Sequence, residues 1–88
     1  MENRLTIMQF LRVFDAIRET GERAESKYMI GEMAAWHDYD GYTCWLGYKD
    51  VTVTLMFHGS LKIEYKDASN YAVFLKQCLA LTASKPLQ

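Results

Sequence analysis

The spacing of apolar residues changes period twice along this chain. Over residues 5–19, Ile7, Phe10, Leu11, Phe14 and Ile17 recur at the three- and four-residue intervals that line one side of a helix, with Arg12, Asp15, Arg18 and Glu19 on the other. This predicts an amphipathic helix capped at Asn3 or Thr6 and ended by Gly21. From Lys27 onward the period is two. In VTVTLMF, Val51, Val53, Leu55 and Phe57 share one face while Thr52, Thr54 and Met56 share the other; in LKIEYK, Leu61, Ile63 and Tyr65 alternate with Lys62, Glu64 and Lys66. Such alternation predicts antiparallel strands buried on one face. Helical spacing returns with Tyr71, Phe74, Leu75, Cys78 and Leu79, behind a capping region at Asp67, Ala68 and Ser69.

Register follows from keeping the apolar faces together. A two-residue Lys49–Asp50 turn sets Tyr48 opposite Val51, Leu46 opposite Val53, Cys44 opposite Leu55 and Tyr42 opposite Phe57. A three-residue loop at 58–60 pairs Phe57 with Leu61, with Gly59 or Ser60 taking the unusual backbone angle. The first strand is expected over residues 28–36. Plain alternation would put Glu32 on the face of Ile30 and Trp36, where a buried carboxylate could serve acid/base chemistry; a bulge at Gly31 would let it reach solvent instead. The expected fold is α+β: an N-terminal helix, a four-stranded antiparallel meander and a C-terminal helix, both helices on one face of the sheet. The core is expected to gather Leu11, Phe14, Leu55, Phe57, Ile63, Phe74 and Leu75.

Composition narrows the class. Eighty-eight residues make one domain, 1–88, with an ordered core over about 4–83 and a short tail holding the only proline, Pro86. A 50% apolar content with 24% charged residues is that of a chain that folds. The formal net charge of −1 gives no overall field to draw nucleic acid or an anionic membrane. No stretch approaches the roughly 18 apolar residues of a membrane span, and the first residues lack a signal-peptide pattern, so a cytoplasmic protein is expected. Cys44 and Cys78 are then expected as small buried apolar residues rather than a disulfide.

The densest chemistry lies in WHDYDGYTCW, residues 36–45. Its composition suits a hairpin loop, because aspartates bond to nearby backbone and Gly41 accepts a positive φ. Aligning Asp38, Asp40 and Gly41 with positions 3, 5 and 6 of a calcium-binding loop puts Trp36 at position 1 and Gly47 at position 12, so the first carboxylate and the bidentate glutamate are missing. A zinc site from His37, Cys44 and His58 lacks paired ligand spacing and needs Cys44 to leave the core face. No phosphate loop, nucleophile elbow or metalloprotease motif occurs, and no catalytic residue, metal or cofactor is expected.

FLRVFDAIRETGE at 10–22, DYDGYT at 38–43, VTLMFHGS at 53–60 and IEYKDASNYAVFLKQ at 63–77 together resemble a family of small uncharacterised bacterial proteins known only as a domain of unknown function. The resemblance covers most of the chain. It implies a compact freestanding protein and carries no activity, cofactor or site residue.

The function expected from the residues is a noncatalytic protein-binding or regulatory module, able to self-associate. Its contact surface would be the sheet face away from the helices: Trp45 and Met56 as an apolar patch, with Thr43, Thr54 and Lys62 around it. One alternative is a small-ligand binder or enzyme using the 36–45 loop (His37, Asp38, Asp40) with His58. Another is a weak RNA-binding sheet face, for which Lys62 and Lys66 would accompany Trp45 and Tyr48, although Glu64 sits between the lysines.

Overall fold

The computed structural model describes residues 5–56 and 58–83. Helix α1 spans Ile7–Thr20. Thr6, not Asn3, caps it: the Thr6 hydroxyl accepts the Gln9 N–H at 3.1 Å, and the Gln9 side chain accepts the Thr6 N–H at 2.9 Å. Leu5 before the cap and Phe10 in the next turn are both buried, the pairing of a hydrophobic staple. The buried stripe is Phe10, Val13, Phe14, Ala16 and Ile17. Ile7 and Leu11, expected on the inner side, are exposed. The stripe is turned: Val13 and Ala16 extend it on one side of Ile17 and Phe10, while Ile7 and Leu11 fall beyond its other edge at Phe14.

The sheet corrects the expected count. It has six antiparallel strands in sequential order, β1 Glu22–Ala24, β2 Lys27–Ile30, β3 Met33–His37, β4 Cys44–Tyr48, β5 Val51–Leu55 and β6 Leu61–Glu64. The expected single strand at 28–36 is a hairpin. Gly31, at φ 58°, opens a two-residue turn that sets Ile30 opposite Met33, so it is a reversal and not a bulge. Glu32 lies in that turn, exposed, with its carboxylate 4.0 Å from Lys49 Nζ. The reversal also moves Trp36 to the face opposite Ile30. β1 was unread because its turn, Glu25–Ser26, lacks glycine; Glu25 takes φ 59° regardless, as Lys49 takes φ 53° at the β4–β5 turn.

The β4–β5 register matches expectation at Tyr48–Val51, Leu46–Val53 and Cys44–Leu55. The Tyr42–Phe57 pairing falls partly outside the described residues. On β6 the register is displaced by two: Leu55, not Phe57, faces Leu61, and Val53 faces Ile63. The connection closes earlier because Met56 N–H donates to Ser60 O at 2.9 Å and Gly59 N–H donates back to Met56 O. A shift of two preserves the side-chain faces, so the apolar pattern alone could not distinguish the two registers.

Helix α2 spans Ala68–Ala83, and Asp67 caps it by accepting from the Ser69 N–H and hydroxyl. α1 packs over β2 and β3, α2 packs over β5, and the helices pack on each other. Both contribute to one cluster with Met33, Ala35, Leu46, Tyr48, Val51 and Val53, so they cover the same face. Leu55, Ile63 and Leu75 are half-buried at its rim, while Phe74 is fully buried and Leu79 is exposed. The β4–β5 turn is tied to the start of α2 by Asp50, whose carboxylate accepts from Lys66 N–H, Asp67 N–H and the Asn70 amide at 3.0, 2.9 and 3.1 Å. Desolvation raises the Asp50 pKa, but these donors outweigh it and hold the carboxyl below the ordinary aspartate value. Hydrogen bonds from Ser69 do the same for Asp67.

Candidate functional site

The open face of the sheet is built from two adjoining cross-strand rows. One runs Trp36, Trp45, Thr54 and Lys62, each directly opposite the next. Lys27 extends it, with its ammonium 4.4 Å above the centre of the Trp36 ring. The neighbouring row runs Glu22, Met29, Ala34, Gly47, Thr52 and Glu64. Bulk and cations sit in the first row, whereas small residues and carboxylates dominate the second.

That contrast lets the tryptophans lie down. Their rings are 5.9 Å apart and nearly parallel, at 11°. A Cβ on Gly47 would stand 3.0 Å from two ring atoms of Trp36, so the ring leans over the space a side chain would take. Thr54, opposite Trp45, is only 7% exposed, and Ala34 only 8%, on a face that neither helix covers. Both tryptophans are half-buried.

Of the expected surface residues, Trp45, Thr54 and Lys62 therefore come together in one row. Met56 and Thr43 lie one step beyond the strand ends, both half-buried. Thr43 closes the β3–β4 loop: its C=O accepts the Asp38 N–H at 3.0 Å, and its N–H donates to the Asp38 carboxylate at 3.3 Å. Sequence reasoning missed Trp36, Lys27 and Gly47. The available signal was the Gly31–Glu32 dipeptide: read as a turn, it puts Trp36 beside Trp45.

His37 is the last residue of β3, opposite Cys44, Asp38 and Asp40 lie in the β3–β4 connection and His58 in the β5–β6 connection, all at the same end of the sheet. The loop residues are engaged locally. His37 Nδ1 is 2.8 Å from the Asp38 carbonyl oxygen, to which it donates, and Gly41, at φ 79°, donates its N–H to the same oxygen. Asp40 is exposed. Cys44 is half-buried on the core side, and burial, then the Asp38 charge, raise its thiol pKa against a smaller opposing effect of Arg18. Burial pushes the Cys78 thiol up to about 12. Neither thiol is poised as a nucleophile at neutral pH. Among the described residues no three His, Cys, Asp or Glu side chains converge on a point that could hold a metal ion.

No curated protein sequence and no solved structure matches this chain. The family model for a protein of unknown function, DUF3081, matches residues 5–86. With nearly the whole chain inside that match, the protein belongs to the DUF3081 family.

Proposed function

We propose that this protein is a noncatalytic protein-binding module and that its contact surface is the open sheet face centred on Trp36 and Trp45. The observation that carries this reading is the stacked tryptophan pair, half-exposed on a face without a helix over it and rimmed by Lys27, Lys62, Thr52 and Thr54. Rigid aromatic anchors within a polar rim are the side chains that carry most binding energy in protein interfaces. Met56 and Thr43 extend the surface toward the loop end. No described helix is long and apolar enough to cross a membrane, and both cysteines are free, which suits a partner met in the cytoplasm.

The presence of cations beside aromatics also favours a second reading, a weak single-stranded RNA surface. It is the poorer fit. Lys27 already occupies a face of the Trp36 ring, and Lys62 is 3.7 Å from the Glu64 carboxylate, which reduces what either could give to a base or a phosphate. The loop-centred enzyme reading draws the least support, since His37 and Asp38 are engaged in holding their own turn.

The deciding experiment compares partners captured from the native cell by the wild-type protein, by Trp45→Ser and by Leu79→Ser, the last altering only the exposed side of α2. The protein-binding reading expects a partner set lost with Trp45→Ser and kept with Leu79→Ser, both variants melting near wild type. Identical partners from all three baits would refute it. Binding of labelled single-stranded RNA that weakens steeply with salt would replace it with the second reading.

A further inference from the structure

The sheet ends in two unlike edges. β1 is three residues long, and a second β1 laid antiparallel about its centre would oppose Arg23 to Arg23. β6 behaves differently. Met56 N–H donates to Ser60 O, and Lys66 N–H donates to Asp50, which fixes the hydrogen-bond phase at both ends of the strand. Residues 60, 62, 64 and 66 turn their backbone groups toward the β5 side, so those of Leu61, Ile63 and Tyr65 point outward. Among the described residues no strand pairs with that edge.

A second copy that used these outward groups could dock antiparallel in a few registers only. Centring on Lys62 opposes two lysines, and centring on Glu64 opposes two carboxylates. Centring on Ile63 opposes Ile63 to itself and Leu61 to Tyr65, which exchange hydrogen bonds, and it sets Lys62 against Glu64 twice. These charge pairs fall at the non-hydrogen-bonded positions, where side chains of facing strands approach closest. The same register gives the longest overlap.

We propose that two copies of this chain join edge to edge through β6, antiparallel about a two-fold axis at Ile63, merging their sheets into one. The lysine that keeps foreign strands off an edge becomes, opposite Glu64, a device that admits its own kind. Within one copy Lys62 and Glu64 are already 3.7 Å apart with their side chains more than half exposed; pairing turns them into an alternating group of four charges. Of the two helices, α2 lies nearer this edge. α2 packs over β5, and its exposed Ala72, Val73, Leu79 and Ala80 surround Lys76, the only charge within Ala68–Ala83. The outer side of α1, over β2 and β3, instead carries Arg12, Asp15, Arg18 and Glu19. The proposal does not depend on the binding role of the tryptophan face. In the paired sheet, however, both tryptophan faces lie on one side.

The test is the mass of the full chain by sedimentation from low to high micromolar concentration, for wild type, Lys62→Glu, Glu64→Lys, the double exchange and Trp45→Ser. Wild type is expected to dimerise. Each single reversal replaces two attractive pairs with two repulsive ones and is expected to weaken dimerisation about tenfold or more, with the double exchange restoring it. Trp45→Ser should leave it unchanged. Amide exchange read by NMR should show Leu61, Ile63 and Tyr65 gaining protection as concentration rises. A wild type that stays monomeric, single reversals without effect on a folded chain, or a dimer lost only with Trp45→Ser would each overturn the proposal.

Discussion

Val51 and Val53 on β5 are completely shielded by the helices, while Thr52 and Thr54, on the reverse of the same strand, are shielded only by what the sheet itself supplies. On the helix side, cover comes from elements distant in sequence, and every apolar side chain there competes for the same volume. On the open side, cover comes from a cross-strand neighbour: a tryptophan leaning on a glycine. The first arrangement stabilises the fold. The second leaves a surface whose shape depends on a few local contacts and can change with little cost to the whole, which is the property a binding face needs.

The largest effect should come from breaking the helix side. Phe10 is fully buried, serves the staple with Leu5 and stacks on Phe14 at 6.1 Å. Phe10→Ala should cost about 3–5 kcal/mol, a large part of the roughly 4–13 kcal/mol expected for 88 residues. Leu11→Ala, one position along but exposed, should cost less than about 1 kcal/mol. Urea unfolding of both variants checks the rotation of the α1 stripe, and similar losses at the two positions would contradict it.

Next is the joint between α1 and the sheet. Gly21 ends the helix as expected, but in extended backbone, φ −81°, so what requires glycine there is space and not a positive φ. A Cβ there would meet Ile17 O at 2.5 Å and Met29 O at 2.6 Å, both backbone atoms that cannot swing aside. Gly21→Ala should therefore separate α1 from β2 and cost about 1–3 kcal/mol, read as a lower urea midpoint. A midpoint at the wild-type value would mean the helix end shifts freely.

A smaller effect, with a pH signature, is expected where α2 is fastened. Asp50 and Asp67 both have carboxyls held below the ordinary value of 3.8, so their contribution is fully present above that value and is lost as pH falls through the lower folded values. Asp50→Asn should lower the melting temperature at neutral pH and flatten its decline in acid. An acid decline as steep as that of wild type would remove Asp50 from this role.

How much of this was legible in the sequence follows the same division. The alternation at 51–55 and the Lys49–Asp50 turn gave the β4–β5 register residue for residue, because a slip of one would bury threonines and expose valines. Before them, the single strand expected over 28–36 is the β2–β3 hairpin, and β1 has no counterpart in the expectation. Glu25–Ser26 carries no glycine, and Gly31 was taken for a bulge; without those reversals, Trp36 fell on the wrong face. Trp45 and Thr54 were legible as neighbours because the turn between their strands is; Lys62 was legible only as to its face, since the expected pairing of Phe57 with Leu61 sets it opposite Met56 and not Thr54. The Gly47 seat and the Asp50 clasp were not legible, since both join residues through space without any periodic trace.

The smallest expected effect on stability belongs to the open face, and it is the sharpest test of the contrast. In Gly47→Ala the new methyl would meet the far end of the Trp36 ring at 3.0 Å, and that ring, unlike the backbone around Gly21, can move. Removing a glycine from a strand also restricts the unfolded chain, which offsets part of the displacement. The net change in unfolding free energy should stay within about 1 kcal/mol. The surface should nonetheless be remodelled: Trp36 lifts from Gly47, its parallel arrangement with Trp45 is lost, and Lys27 loses its position over the ring. Circular dichroism would register this as loss of the coupled tryptophan signal at nearly unchanged stability. If that signal persists, Trp36 does not rest on Gly47. If the protein unfolds as readily as Phe10→Ala, the open face is part of the core and the distinction between the two faces fails.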